Sequence, residues 1–243
     1  MKWGSSPRAL PKLDINVTNA CNLRCSHCCF RSGEADLGKF SIVNIIELFA
    51  DFKSFGGERI DITGGEPLMF RELDPILKGA IGHWGFRTEL VTNSLLLTDG
   101  RLERFRAIGL NEIAISLDGS THETHAGIRG TSQKDFGKVL ANIRKAAGLG
   151  IKTKVNTVVF ASNLRDLADI TRLAIDSGAS EHGFYFFSPI GRGEGDAGNV
   201  ADARKWLRLV REELVKFIGR IKISLEVPIL ETEQAEAGNK VLS

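Results

Sequence analysis

All four cysteines of this 243-residue chain fall within nine positions, at Cys21, Cys25, Cys28 and Cys29 of the stretch CNLRCSHCCF. Thiolates spaced as Cys21-x-x-x-Cys25-x-x-Cys28 can wrap a short loop around an iron–sulfur cluster, whereas a closed zinc site needs four ligands, commonly as two separated pairs. Cys28 and Cys29 have Cα atoms about 3.8 Å apart across a trans peptide. In extended backbone their side chains point to opposite sides, so the two are not expected to serve the same cluster. A cubane normally takes four protein ligands, and three thiolates leave one iron open to hold a small molecule directly. Cys29 is then expected to be a small buried hydrophobe. A competing chemistry is a thiol redox pair, with Cys25 and Cys28 as C-x-x-C.

The remaining composition sets the context for that loop. With 42% hydrophobic and 26% charged residues, the chain can bury the core of one soluble domain. A net charge of +2 gives no argument for a nucleic acid partner. No apolar run approaches the roughly 18 residues of a membrane span. The start, MKWGSSPRALPKLD, lacks the apolar stretch of a secretory signal, which predicts a cytoplasmic, reducing location where thiols bind metal more readily than they form disulfides.

Short β-rich runs alternate with helical patterns along the chain. DINVT (14–18) reads as a strand. After the cysteine loop, Ser41 opens a helix with an apolar stripe of Ile42, Ile45, Ile46, Phe49 and Phe52, stopped at Gly56-Gly57. The unit repeats as strand 59–63 with a helix near 72–84, 87–92 with 99–108, 111–117 with 135–147, 152–160 with a helix capped by Asn163, and 183–187 with a helix near 201–218. A last strand-like run, KISLEV, covers 222–227. Six such units predict parallel pairing, in either an open doubly wound sheet or a partly closed barrel. The expected layout is an N-terminal extension (1–12), one barrel domain (13–227) and a polar tail (228–243).

The unusual residues all fall just after strands: the cysteine loop after the first, GGEP (64–67) after the second, Thr92-Asn93 at the end of the third, Ser116-Leu117-Asp118-Gly119 at the end of the fourth and SPIGRG (188–193) after the sixth. In parallel α/β folds the strand C-termini share one face, where ligands bind. Five segments spread along the chain are therefore expected to meet at one site.

This ordered set, Cys21-x-x-x-Cys25-x-x-Cys28, GGEP, TN and SLDG, resembles the radical S-adenosylmethionine (SAM) superfamily over about residues 13–190. LDINVTNACNLRCSHC, SLDGSTHETHAGIRG and FYFFSPIGRG are similar to the branch with peptide-modifying maturases, cofactor-building enzymes and alternative haem pathway enzymes. The resemblance implies a partial (β/α)6 TIM-like barrel. It further implies a 4Fe-4S cluster on Cys21, Cys25 and Cys28, with SAM on the fourth iron through its amino and carboxylate groups. One electron, from a low-potential donor of flavodoxin or ferredoxin type, would then cleave SAM to methionine and a 5′-deoxyadenosyl radical that removes hydrogen from a peptide or cofactor-precursor substrate. By the same resemblance, Gly64 and Gly65 let backbone approach the SAM ammonium and Glu66 helps to hold that region. Ser116 and Asp118 bond ribose or carboxylate groups, Thr92 and Asn93 extend the polar lining, and Arg129 pairs with the SAM carboxylate. His27 stands where the family usually has an aromatic residue, near adenine. Members of the branch often carry a cysteine-rich extension with auxiliary clusters, which this chain's cysteines cannot supply.

Each residue also has a plainer reading: a tight turn at Gly64-Gly65, a helix-entry turn at Ser116 and Asp118, a solvated loop charge at Arg129. His122 and His125 are spaced as two ligands on one helical face but lack a third partner. The basic residues of 203–220 read as a solvated face. Tetrapyrrole side-chain chemistry, a non-catalytic Fe–S scaffold and a thiol redox protein stand as alternatives at this point.

Overall fold

The computed structural model describes residues 12–33 and 41–226. The expected tail, and all of the expected N-terminal extension but Lys12, lie outside the described residues. Seven strands form one parallel sheet in chain order: β1 (Leu13–Asn16), β2 (Arg59–Thr63), β3 (Arg87–Thr92), β4 (Glu112–Ser116), β5 (Lys152–Val159), β6 (Glu181–Phe186) and β7 (Lys222–Glu226). Strand order that follows chain order, with every neighbour parallel, means that each connection crosses back over the same face. Such a sheet curls into part of a barrel. This decides between the two architectures left open by periodicity, and the run 222–227 supplies a seventh strand at 222–226.

The connecting helices are α1 (Ile42–Ser54), α2 (Leu73–Lys78), α3 (Asp99–Ile108), α4 (His122–Arg129), α5 (Gln133–Gly148), α6 (Leu167–Asp176) and α7 (Ala203–Glu212). Ser41 caps α1 by accepting from the Asn44 amide while the Asn44 side chain reaches back, a capping box. Of the predicted α1 stripe, Ile45, Phe49 and Phe52 are buried, but Ile46 is exposed, because it sits one position off the face that meets the sheet. Asn163 stands at the N-cap position of the 3-10 turn Leu164–Asp166 that leads into α6, but its side chain makes no cap bond. Its Oδ1 accepts from the Phe160 amide, and its Nδ2 donates to the carbonyls of Val158 and Asp118, so it ties the end of β5 to the end of β4. The helix expected over 201–218 ends at Glu212 and gives way to a tighter turn at Leu214–Phe217. Helix α7 buries Trp206 against Phe184 and Phe186 and leaves its arginines and lysines exposed.

Alternation along the strands separates two environments. Ile60, Ile62, Ile113, Ile115, Val155, Val159 and Phe184 face the helices and are buried in one continuous core. The opposite, concave face carries charge at its lower end. Arg59 bonds Asp61 (3.0 Å) and Glu89 (2.5 Å), and Lys152 bonds Glu112 (2.7 Å) and Glu181 (3.3 Å). Burial and nearby Asp61 push the Glu89 carboxyl up. Glu112 is also desolvated but is held below the usual carboxylate range by Lys152 and Arg87. The ion pairs close the floor of the barrel, leaving the strand C-termini as its open end.

Candidate active site

At that end lies a cavity of about 190 Å³. Its wall includes Cys21, Cys25, Cys28, His27, Gly64, Gly65, Thr92, Asn93, Ser116, Arg129 and Arg192, so four of the five expected segments are joined by the SPIGRG loop at one place.

The cysteine loop has little regular structure of its own and is shaped by its neighbours. The Gly65 amide donates to Thr18 O (2.7 Å) and the Glu66 amide to Ala20 O (2.8 Å), joining the loop after β1 to the loop after β2. The glycines are required for this contact. Gly64 has φ +149°, and a Cβ on it would stand 2.6 Å from Thr18 O; on Gly65 a Cβ would stand 2.4 Å from Ala20 O. Their missing side chains thus make room for the cysteine loop's backbone, where the sequence reading had them make room for ligand. Glu66 is wholly buried and accepts from Thr92 Oγ1 (2.6 Å) and from the amides of Asn93 (2.8 Å) and Leu68 (3.1 Å). Burial pushes its carboxyl up, and those three donors oppose the shift. Asn93 in turn donates from Nδ2 to Asn22 Oδ1 at 2.9 Å.

Three further clamps hold the loop. The Ser26 amide donates to Ile128 O in α4 (3.0 Å). The Arg192 amide donates to Cys28 O (2.9 Å), and its guanidinium donates to Cys25 O and Ser32 O, both at 2.8 Å. Gly191 has φ +61°, and a Cβ there would lie 2.2 Å from Cys29 O. The sequence reading assigned Arg192 no role. The signal was the GRG triplet, since an arginine between two glycines is a side chain delivered by backbone that can approach closely.

Each of three sulfurs receives an N–H donor: Cys21 from the Leu23 amide (3.4 Å), Cys28 from the Ser32 amide (3.3 Å) and Cys25 from Arg129 Nη1 (3.9 Å). Such donors stabilise thiolate character and tune bound iron. Without a bound cation, burial pushes the Cys21 and Cys25 thiols up, so the metal itself must favour their ionisation. Among the described residues no three His, Cys, Asp or Glu groups gather closely enough to share a single ion. Three donor-supplied sulfurs around a cavity suit a larger, multi-iron group, and the site fits one. Cys29 is exposed on the rim, which corrects the expectation of a buried hydrophobe. The turn at Cys28–Arg31 sets its backbone against Gly191, and Cys29 shares the mouth of the same cavity.

Arg129 is buried, not a solvated loop charge. Its Nε donates to Asp118 Oδ2 (2.5 Å), and the fully buried Asp118 accepts the Val158 amide on its other oxygen (2.8 Å). Asp118 therefore does not reach the cavity to bond a ligand. It orients Arg129, whose charge holds the Asp118 carboxyl down against the effect of burial. Ser116 and Thr92 do reach the lining. His27 has a buried Nδ1 with no hydrogen-bond partner and packs edge-on against Phe160. Burial and Arg129 lower its pKa to about 4, so it is neutral at pH 7. His122 pairs outward with Glu123, whereas His125 turns inward and accepts the Asp118 amide on Nδ1, so the two do not form a metal site.

A partial parallel barrel with a three-thiol loop at its open end defines a class of enzyme. The sequence matches the radical SAM superfamily over residues 15–174, and the chain belongs to that family. It is 31% identical over 193 residues to the AdoMet-dependent heme synthase of Methanosarcina barkeri, covering 79% of this chain and 55% of that protein. It is 30% identical over 174 residues to the probable GTP 3′,8-cyclase of Methanocaldococcus jannaschii, covering 71% of this chain and 57% of that protein. The chain thus spans little more than half the length of these relatives. Among solved structures, Streptococcus suis SuiB bound to S-adenosylmethionine superposes with a TM-score of 0.77 at 16% identity, over 90% of this chain and 51% of that one. The anSMEcpe enzyme with bound AdoMet gives 0.69 at 18%, over 89% and 63%. The family is one that binds a 4Fe-4S cluster and SAM.

Proposed function

We propose that Cys21, Cys25 and Cys28 hold one 4Fe-4S cluster with an open iron, and that SAM binds in the adjoining cavity for reductive cleavage and hydrogen abstraction from a substrate. When bound, the cluster and SAM together supply one-electron cleavage of a carbon–sulfur bond. The chain's own residues supply placement. Arg129, locked by Asp118, offers a fixed cation for a carboxylate. Ser116, Thr92 and Asn93 offer polar contacts, and His27 presents a neutral ring to a base. Glu66 and Arg192 keep the loop in register. The observation that supports this reading is the donor pattern, with N–H groups on the sulfurs of Cys21, Cys25 and Cys28, while Cys29 is exposed at the cavity mouth.

A cofactor precursor is favoured as substrate over a peptide. The relatives near 30% identity are named for haem synthesis and GTP cyclisation, whereas the peptide-bound neighbour is similar in fold at 16% identity. The electron comes from a low-potential donor of flavodoxin or ferredoxin type. The test is anaerobic reconstitution to about four iron and four sulfide per chain, then dithionite and SAM. Formation of 5′-deoxyadenosine and methionine is expected. An intact, reduced cluster that forms neither would return the protein to the scaffold reading.

A further inference from the structure

The SAM cavity reaches only part of the concave face. Ser116, at its edge, pairs in register with Asn156 of β5, which pairs with Gly183 of β6. Register partners on neighbouring parallel strands lie about 4.8 Å apart with side chains on the same face. A row therefore continues sideways from the cavity as Ser116, Asn156 and Gly183. Its chemistry is unlike the paired floor below. Asn156 Oδ1 is buried with no hydrogen-bond partner, an arrangement that is costly unless something supplies a donor.

Lys154 stands one step lower on β5 and is directed upward over Gly183. Its Nζ donates to the hydroxyl of Tyr185, the chain's sole tyrosine, at 2.8 Å. Gly183 makes that path available. A Cβ there would lie 2.6 Å from Lys154 Cε and 3.1 Å from both Lys154 Nζ and Asn156 Oδ1. The ammonium and the orphaned carboxamide oxygen thus flank one spot. Lys154 is nearly buried, yet its nearest carboxylate, Glu181, stands 3.7 Å away and is shared with Lys152 (3.3 Å) and Lys222 (3.0 Å). Lys152 also holds Glu112 at 2.7 Å, but Lys222 is closer to Glu181 than Lys154 is, so the Lys154 ammonium has only a distant, shared counter-charge.

We infer that Lys154, Asn156 and Gly183 form a substrate subsite beside the SAM cavity, which takes a carboxylate on Lys154 and an adjacent N–H or O–H donor on Asn156. The inference rests on the proposed function for calling the ligand a substrate. A singly charged carboxylate fits better than a phosphate dianion, because Glu181 faces the same ammonium and would repel the second negative charge.

The test uses the full reconstituted chain and N-acetylglycine, which carries one amide N–H close to one carboxylate. Binding is followed by saturation-transfer NMR, with inorganic phosphate as the second probe. The wild type is expected to bind N-acetylglycine saturably and phosphate at least about tenfold more weakly. Asn156→Leu, Lys154→Gln and Gly183→Ala are each expected to weaken N-acetylglycine by about tenfold or more, the effect of losing one buried or charge-assisted hydrogen bond. Lys205→Ala, on the exposed side of α7, should bind as the wild type does. Melting temperature and iron content identify variants that fold, and the three substitutions act independently, so one folded variant is enough to decide. The inference is overturned if the wild type does not bind the probe, if a folded variant binds it unchanged, or if phosphate binds equally well. It is also overturned if affinity for S-adenosylhomocysteine falls in step with that for the probe, which would assign these residues to the SAM site. Probe binding without any 5′-deoxyadenosine formation counts against the proposed function; 5′-deoxyadenosine formation without probe binding counts against the subsite alone.

Discussion

Gly65→Ala is a sharp test of how the site is assembled. The added Cβ would stand 2.4 Å from Ala20 O, and ordinary van der Waals contact begins near 3.4 Å, so the two loops must part by about 1 Å. The bonds joining them, Gly65 N to Thr18 O at 2.7 Å and Glu66 N to Ala20 O at 2.8 Å, would both stretch past hydrogen-bonding distance. Two hydrogen bonds at about 1 kcal/mol each, with overpacking of about 1 to 3 kcal/mol, give roughly 3 to 5 kcal/mol. For a chain of this size that lowers the melting temperature by roughly 6 to 20 °C. The ligand-binding loop moves with the break, so iron uptake should fall in parallel. The assay is thermal melting of the apoprotein, then iron and sulfide analysis after reconstitution. A variant that melts within about 2 °C of wild type, holds full iron and loses only SAM affinity would refute the reasoning, because Gly65 would then be making room for ligand.

Cys28→Ala should lose the 4Fe-4S absorption and all SAM cleavage, while Cys29→Ala should keep both and, being exposed, change stability by no more than about 0.5 kcal/mol; the opposite pattern would shift the ligand set by one residue. The third prediction concerns pH. His182 is fully buried between the hydroxyls of Thr157 and Thr171, and burial lowers its pKa to about 3 from an unfolded value near 6.5. The unfolded chain therefore binds the extra proton first. The neutral ring's contribution is complete above pH 6.5 and is lost as pH falls towards 3. From pH 7 to pH 5 the loss is about 2 kcal/mol. Burial lowers His27 and His125 to about 4 as well, so urea melts of the apoprotein at the two pH values should show a drop larger than that share, and His182→Gln should reduce it by about 2 kcal/mol; an unchanged difference would assign it wholly to other groups.

The sequence showed the site better than it showed the means of holding it. Strand alternation and motif placement located the open end of the barrel, because parallel β-α units bring strand C-termini together whatever lies between them. Spacing did not foresee the exposure of Cys29, since burial depends on the turn that Gly191 supports from far along the chain. Asp118 was expected as a ligand contact only through the family resemblance. Its engagement by Arg129 and the Val158 amide depends on α4 folding back over β4, and α4 was too short to be seen as a separate helix before the longer α5. Asn163 looked like a cap because its type is right for one, and only the proximity of Asp118 O and Val158 O shows its amide to be used otherwise. The row from Ser116 to Gly183 could not be seen at all, because strand register has no local signature when the partners come from different units.

The clamps on the cysteine loop also impose an order in time. The thiols are made well before Arg192, which holds the Cys25 carbonyl and lies 167 residues later. At bacterial or eukaryotic synthesis rates of about 5 to 20 residues per second, that is a delay of roughly 10 to 30 s. Throughout that interval the loop after β1 lacks the Arg192 bonds to the carbonyls of Cys25, Cys28 and Ser32. Iron delivery is therefore best matched to a chain that has already been made through β6, and cluster insertion reports that the last clamp on the loop after β1 is in place.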